Sequence, residues 1–246
     1  MDRANSYNDE LRIDNEHNYW EDRYSKGGTS GQGSVGTIRQ WKWQTISEFC
    51  PCIDHVIDIG CGDLSFWEDK TCEDYIGIDI SQTIVNHNRI THPKWNFIVS
   101  PADAYIDGLK KDCVLCLDVL FHLMDFKSFK AVLNNLCLYS SKYIFISTWI
   151  NNPFRRKYLL SIAVSHFYKL HFKLGLLALK ASLFTPYTDG YYQYFRPLET
   201  YFTVFKEYGF SLVGKRIYSD NVNSIYVFKR ERCNLPDHLQ PNKAGS

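Results

Sequence analysis

Apolar residues in the middle of the chain fall into short runs, and stretches with helical periodicity separate them. His55-Val56-Ile57-Asp58-Ile59, Tyr75-Ile76-Gly77-Ile78-Asp79, Trp95-Asn96-Phe97-Ile98-Val99, Cys113-Val114-Leu115-Cys116-Leu117 and Tyr143-Ile144-Phe145-Ile146-Ser147 each read as a short buried strand. The spacing predicts helices over Thr83–Thr91 and Phe126–Tyr139, and another over Thr37–Phe49 ahead of the first strand. This alternation predicts an α/β fold, a parallel sheet covered on both faces. Beyond it the pattern gives a largely helical apolar segment over 150–185 and a helix from Phe195 to Tyr208 that stops at Gly209. A closing antiparallel pair follows, Ser211–Ile217 and Ser224–Lys229, and then a loose tail.

Composition narrows the function classes. The 246 residues suit one α/β domain with a modest addition, and 45% apolar against 22% charged residues supports a packed core. Lys plus Arg number 28 and Asp plus Glu 27, so the formal net charge is +1 and no DNA partner is expected. The polar start has neither the basic nor the apolar region of a signal peptide, and no apolar run reaches 18 residues, so a cytoplasmic protein is expected. Of the eight cysteines, Cys113, Cys116 and Cys137 sit in apolar runs, where a reduced thiol behaves as a small hydrophobe. Cys50-Pro51-Cys52 lacks zinc-knuckle spacing, and the sequence shows no convincing set of metal ligands. Aromatic content is high at 16%, and core filling is its simplest reading.

Chemistry concentrates where the first strand ends. Asp58-Ile59-Gly60-Cys61-Gly62-Asp63-Leu64-Ser65 predicts a tight turn leading into a helix, with glycines letting the backbone approach a ligand. A dinucleotide fold wants a third glycine where Ser65 stands, and Asp63 would repel a pyrophosphate. S-adenosylmethionine (SAM) carries an ammonium and a sulfonium and no phosphate, so carboxylates near the turn favour it. Asp79 ends the second strand, where a carboxylate can take both ribose hydroxyls. Asp103 follows the third strand, in reach of the adenine amino group, and Asp118 follows the fourth, in reach of the methionine end. Asp58 is expected near the cofactor amine, with Cys61 between the two glycines of the turn.

The ordered set Asp58-Ile59-Gly60-Cys61-Gly62, Ile78-Asp79-Ile80-Ser81, Ala102-Asp103-Ala104 and Leu117-Asp118-Val119-Leu120-Phe121-His122-Leu123 resembles the successive motifs of class I SAM-dependent methyltransferases. The resemblance implies a Rossmann-like sheet, mostly parallel and seven-stranded with an antiparallel last strand, plus a helical insertion. It adds Ile80, Ala104 and Val119 to the expected cofactor contacts. Trp20-Glu21-Asp22-Arg23-Tyr24 and the Gly/Ser-rich stretch Ser30–Gly36 further resemble a bacterial and archaeal group linked to surface-sugar or natural-product methylation, in which an N-terminal loop closes over the cofactor. The implied organisation is 1–50, N-terminal helix and covering loop; 51–149, SAM-binding core; 150–190, helical insertion; 191–230, the rest of the core; and 231–246, tail.

From Phe126 through Thr188 the chain has no Asp or Glu, while Arg155, Arg156, Lys157, Lys169, Lys173 and Lys180 make the insertion basic. It reads as a lid, as a binder of anionic acceptors, or as a helix lying on an anionic membrane through residues 155–180. Tyr187, Tyr191, Tyr192, Tyr194 and Arg196 are expected on the acceptor side. The reaction expected is methyl transfer to an O or N atom of a small-molecule or glycan acceptor, anionic or lipid-linked. His122 is the first candidate for a base and Tyr24 the second. RNA or protein methylation and a non-catalytic SAM-binding subunit are the rival readings.

Overall fold

The computed structural model describes residues 18–154, 188 and 193–231. The helical insertion expected over 150–190, with its basic cluster and proposed membrane face, lies almost wholly outside the described residues, as do Tyr187, Tyr191, Tyr192 and nearly all of the tail. Residues 18–25 form a first helix, α1, and Gly36–Phe49 a second, α2. Then come β1 (His55–Ile59), β2 (Asp74–Asp79), α3 (Gln82–Thr91), β3 (Asn96–Val99), β4 (Lys111–Leu117), α4 (Phe126–Tyr139) and β5 (Ser140–Trp149). The last described elements are α5 (Glu199–Glu207), β6 (Phe210–Ile217) and β7 (Asn223–Arg230).

The seven strands make one sheet in the order β3-β2-β1-β4-β5-β7-β6. The first five run parallel, β7 is antiparallel to β5, and β6 is antiparallel to β7. This is the mostly parallel, Rossmann-like α/β sheet the sequence predicts. The two-residue period of the strands sorts their side chains. Ile57, Ile59, Val114, Cys116, Ile144 and Ile146 join α4 and α5 in one buried layer. Val56, Cys113, Leu115, Tyr143, Phe145 and Val227 face the other way, with Trp43 of α2 and Val85 of α3. Cys113 and Cys116 thus lie on opposite faces, as their spacing within a strand requires.

Two boundaries differ from expectation. Helix α5 begins at Glu199 rather than Phe195, because Pro197 disfavours helical geometry in the residue before it. No α-helix follows β1 either. Residues 60–73 contain only the single 3-10 turn Ser65–Trp67, flanked by left-handed Leu64 (φ 59°) and Asp69 (φ 62°). Aromatic side chains fill the layer instead. Trp43 stacks on Phe66 with centroids 4.8 Å apart, Trp67 meets Tyr75 edge-on at 4.9 Å, and Tyr75 lies 4.4 Å from Trp95. Each indole N–H has an acceptor: Trp43 donates to the Phe66 carbonyl, Trp95 to the Cys72 carbonyl and Trp67 to Asp58.

Asp58, expected near a cofactor amine, is held within this layer. It shares a strand face with Val56, and its Oδ2 accepts from Trp67 Nε1 at 2.7 Å and from the Tyr75 hydroxyl at 3.0 Å. Burial pushes its carboxyl up to about 6, against the pull of those two hydrogen bonds. A carboxyl raised in the folded state stabilises fully below its unfolded value, and that contribution is lost as pH rises through the folded one. Asp58→Asn is therefore expected to match wild-type stability near pH 4 and to exceed it by about 3 kcal/mol near pH 7. Urea unfolding at both pH values checks this, and an equal difference at the two would refute the assignment.

Candidate functional site

A cavity of about 450 Å³ opens at the carboxyl ends of β1, β2 and β4, where open α/β sheets hold ligands. Its floor begins with the turn after β1. Gly60 has φ 73° and hydrogen-bonds through its N–H to the Ile78 carbonyl at 2.7 Å; a Cβ there would meet Val119 Cγ2 at 2.3 Å. At Gly62, φ 55°, an added Cβ would lie 2.1 Å from Ser30 Oγ and 2.9 Å from the Tyr24 hydroxyl. Both left-handed positions are therefore crowded against a side chain, and at Gly60 the backbone itself forms the cavity surface.

Asp79 sits at the end of β2, 7% exposed. Its Oδ2 accepts from the Gly62 amide at 2.9 Å and its Oδ1 from the Ser81 amide at 3.0 Å. Burial lifts its carboxyl above the usual range despite those two amides. Each oxygen keeps acceptor capacity beyond the one bond, and Asp79 lines the cavity. Ile80, Ser100, Pro101, Ala102 and Asp103 carry the wall on past β3.

The chain ahead of β1 forms a roof, held by carboxylates from both sides. Glu21 of α1 accepts from Ser81 Oγ at 2.6 Å, from the Thr83 amide at 3.2 Å and from the Thr83 hydroxyl, at the start of α3. Ser30 donates its amide (3.0 Å) and hydroxyl (2.7 Å) to Asp63, and that hydroxyl also accepts from the Asp63 amide at 2.9 Å. Burial would raise Asp63, but the bonds from Ser30 and Ser65 hold it below the usual range. Lys42 of α2, 2% exposed, donates to the Gly33 carbonyl at 2.9 Å and pairs with Asp118 Oδ2 at 2.5 Å. Tyr19, Trp20, Arg23, Tyr24 and residues 30–34 line the underside of this roof.

Asp118 follows β4 in a strained, doubly anchored position. Its backbone is left-handed, φ 60°, its amide donates to Ser147 Oγ at 2.8 Å, and Ser147 returns a hydrogen bond to Oδ1 at 2.5 Å. Burial pushes its carboxyl up, but Lys42 and Ser147 outweigh that and leave it below the usual range. His122 follows in a 3-10 turn, Leu120–His122, rather than an α-helix, yet it still reaches the cavity. Its ring meets Trp20 edge-on at 5.3 Å and lies 4.6 Å from Phe121, which stacks on Trp149 at 4.3 Å. An aromatic wall therefore surrounds the imidazole.

Of the residues anticipated from sequence, Gly60, Asp79, Ile80, Asp103, Asp118, Val119, His122 and Tyr24 line one cavity. Asp58, Cys61, Gly62 and Ala104 do not; Cys61 is buried beneath the turn, Gly62 lies behind Ser30 and Tyr24, and the Ala104 side chain is exposed. Burial and the nearby Asp79 raise the Tyr24 phenol far above its ordinary value. Arg196 does not line the cavity; it lies over Phe129 (4.3 Å) and Tyr194 (4.5 Å) and donates to the Met124 carbonyl at 3.1 Å. Sequence reasoning missed the roles of Glu21, Ser30, Lys42 and Ser147, whose bonds to Ser81, Thr83, Asp63 and Asp118 span 29 to 76 residues of chain. Among the described residues no cluster of His, Cys, Asp or Glu forms a metal site, and no helix is long and apolar enough to cross a membrane.

No protein-family model matches the sequence, and no curated protein matches it. Solved structures do. The magnesium protoporphyrin IX methyltransferase ChlM of Synechocystis PCC 6803 with bound S-adenosylhomocysteine superposes with a TM-score of 0.58 at 16% identity, covering 87% of this chain and 98% of that one. The N-methyltransferase NodS of Bradyrhizobium japonicum WM9 with bound S-adenosylhomocysteine gives 0.57 at 11% identity, over 88% and 99%. The [4+2]-cyclase SpnF gives 0.55 at 9% identity, over 89% and 93%. Likeness at such identities is likeness of architecture, and with the strand order and the loop-built cavity it gives this chain the fold of the class I SAM-dependent methyltransferases.

Proposed function

We propose that the chain is a SAM-dependent methyltransferase that modifies an O or N atom of a small-molecule or glycan acceptor. The observation that carries this reading is a single cavity bounded by the Gly60 backbone, Asp79, Asp103 and Asp118 under the roof of α1 and residues 30–34. The donor set suits SAM. A diol fits the remaining acceptor capacity of Asp79, an exocyclic amine fits Asp103, and the anionic surroundings suit a cationic methionine end. A dinucleotide fits worse, since Asp63 stands at the turn and no helix N-terminus follows β1 to receive a pyrophosphate.

When bound, SAM supplies a methyl group on a sulfonium, open to in-line displacement. The protein aligns the acceptor and excludes water. The roof residues Trp20 and Ser30 line the cavity from above, and Lys42 and Ser147 fix the rotamer of Asp118 below. His122, walled by Trp20 and Phe121, takes the proton from an alcohol acceptor; an amine acceptor needs only to arrive neutral. The aromatic wall suits an acceptor with a flat or apolar portion. An anionic or lipid-linked acceptor draws on the basic composition of residues 155–180.

Calorimetric titration with SAM is expected to show micromolar binding that Asp79→Asn and Asp103→Ala each weaken at least tenfold, with NADH not binding. Binding of NADH alone, or of neither by folded protein, would overturn the reading. Ser30→Ala is expected to weaken SAM binding by roughly tenfold, the worth of a hydrogen bond to a charged group, while leaving the core's unfolding midpoint nearly unchanged. Against an alcohol acceptor returned by a screen of phosphorylated and lipid-linked sugars, His122→Asn is expected to lower kcat by about 100-fold or more with little change in SAM affinity. An unchanged kcat in that variant would remove His122 from the chemistry.

A further inference from the structure

On the far side of α2 from the roof, two thiols face each other. Cys50 forms the C-cap of α2, with φ −138° and ψ 81°, outside the helical region. Its Sγ lies 3.4 Å from Sγ of Cys113, a residue 63 positions later at the start of β4. The backbone of Cys113 is fixed, because it pairs in register with Val56 of β1 and Tyr143 of β5. Cys50 is half-buried and reachable, whereas Cys113 is 2% exposed. The site described above uses neither.

We propose that Cys50 and Cys113 form a redox-active thiol pair, in which Cys50 is attacked first and Cys113 closes a disulfide tying the end of α2 to β4. The hydrogen bond from Cys113, aided by Lys142, brings the Cys50 thiol down to about 7 against the opposing effect of burial, so a substantial thiolate fraction exists at neutral pH. The other described thiols contrast with it. Burial pushes Cys72 up to about 11 and raises Cys61, Cys116 and Cys137 well above the ordinary thiol value, away from the thiolate form. Cys52 is the rival partner, two residues from Cys50 and exposed, but Cys50 Sγ meets only its carbonyl oxygen, at 3.4 Å.

The oxidant is a low-molecular-weight disulfide. The Cys50 thiolate attacks one of its sulfurs, the reagent's S–S bond breaks, and one thiolate leaves, giving a mixed disulfide on Cys50. The largest influence raising the Cys113 thiol, its hydrogen bond to Cys50, disappears with that step. Cys113 then gives its proton to solvent, and its sulfur attacks Sγ of Cys50 and expels the second thiolate. Two cysteine thiols lose two electrons and two protons, and the reagent becomes two thiols.

The test is intact-mass analysis and peptide mapping of the full chain equilibrated in oxidised glutathione without denaturant. Wild type and Cys52→Ser are expected to lose two hydrogens and to yield a Cys50–Cys113 linked peptide. Cys113→Ser is expected to stop at one bound glutathione on Cys50. A second readout is the pH dependence of Cys50 alkylation, with a midpoint near 7 in wild type that moves up towards the ordinary thiol value in Cys113→Ala. A wild-type peptide joining Cys50 to Cys52 would overturn the proposal. So would wild-type protein that carries glutathione on Cys50 without ever forming the internal link.

Discussion

Carboxylates clustered around the end of β1 impose the constraint from which much of this architecture follows. Asp58, Asp63, Asp79 and Asp118 all lie near one turn, and each is buried or half-buried. A buried carboxylate without donors or a counter-charge costs several kcal/mol, so every one of them recruits structure. Asp58 draws in Trp67 and Tyr75, Asp79 fixes the amides of Gly62 and Ser81, Asp63 binds Ser30, and Asp118 takes Lys42 and Ser147. The aromatic layer and the roof are thus two answers to one electrostatic demand.

The same demand explains why the segment after β1 is not helical. Trp67 must turn its indole N–H back to Asp58 while Phe66 stacks on Trp43, and one short 3-10 turn allows both. What the layer loses in helical cover it regains in aromatic area, with each indole nitrogen satisfied. Without a helix there, no helix N-terminus stands directly after β1. The polarity of the cavity beside that turn is therefore set by side chains and by single backbone amides.

The fold was largely legible in the sequence because each strand is a nearly continuous apolar run bounded by polar residues. The site was legible in part. Asp79, Asp103, Asp118 and His122 follow strand ends, so their position along the chain already places them at one edge of the sheet. The side of the sheet that Asp58 faces was legible too: as the neighbour-but-one of Val56, it points to the α2 side. The roof contacts were out of reach. Glu21 with Thr83 and Lys42 with Asp118 join residues 62 and 76 positions apart, and no local pattern encodes such pairs. Asp118 and His122 share the cavity through a short 3-10 turn, Leu120–His122.

The polar character of those contacts also bears on how the molecule opens. Helix α1 and the Gly/Ser loop are held on the sheet by hydrogen bonds and one ion pair to residues far along the chain, whereas the sheet gains from contiguous apolar burial. Such polar contacts cost less to break than the apolar packing of the sheet, so the segment carrying α1 and the loop is the cheaper unit to open. Local opening of that unit uncovers the cavity while the core stays folded, so ligand exchange and global unfolding draw on different parts of the same chain.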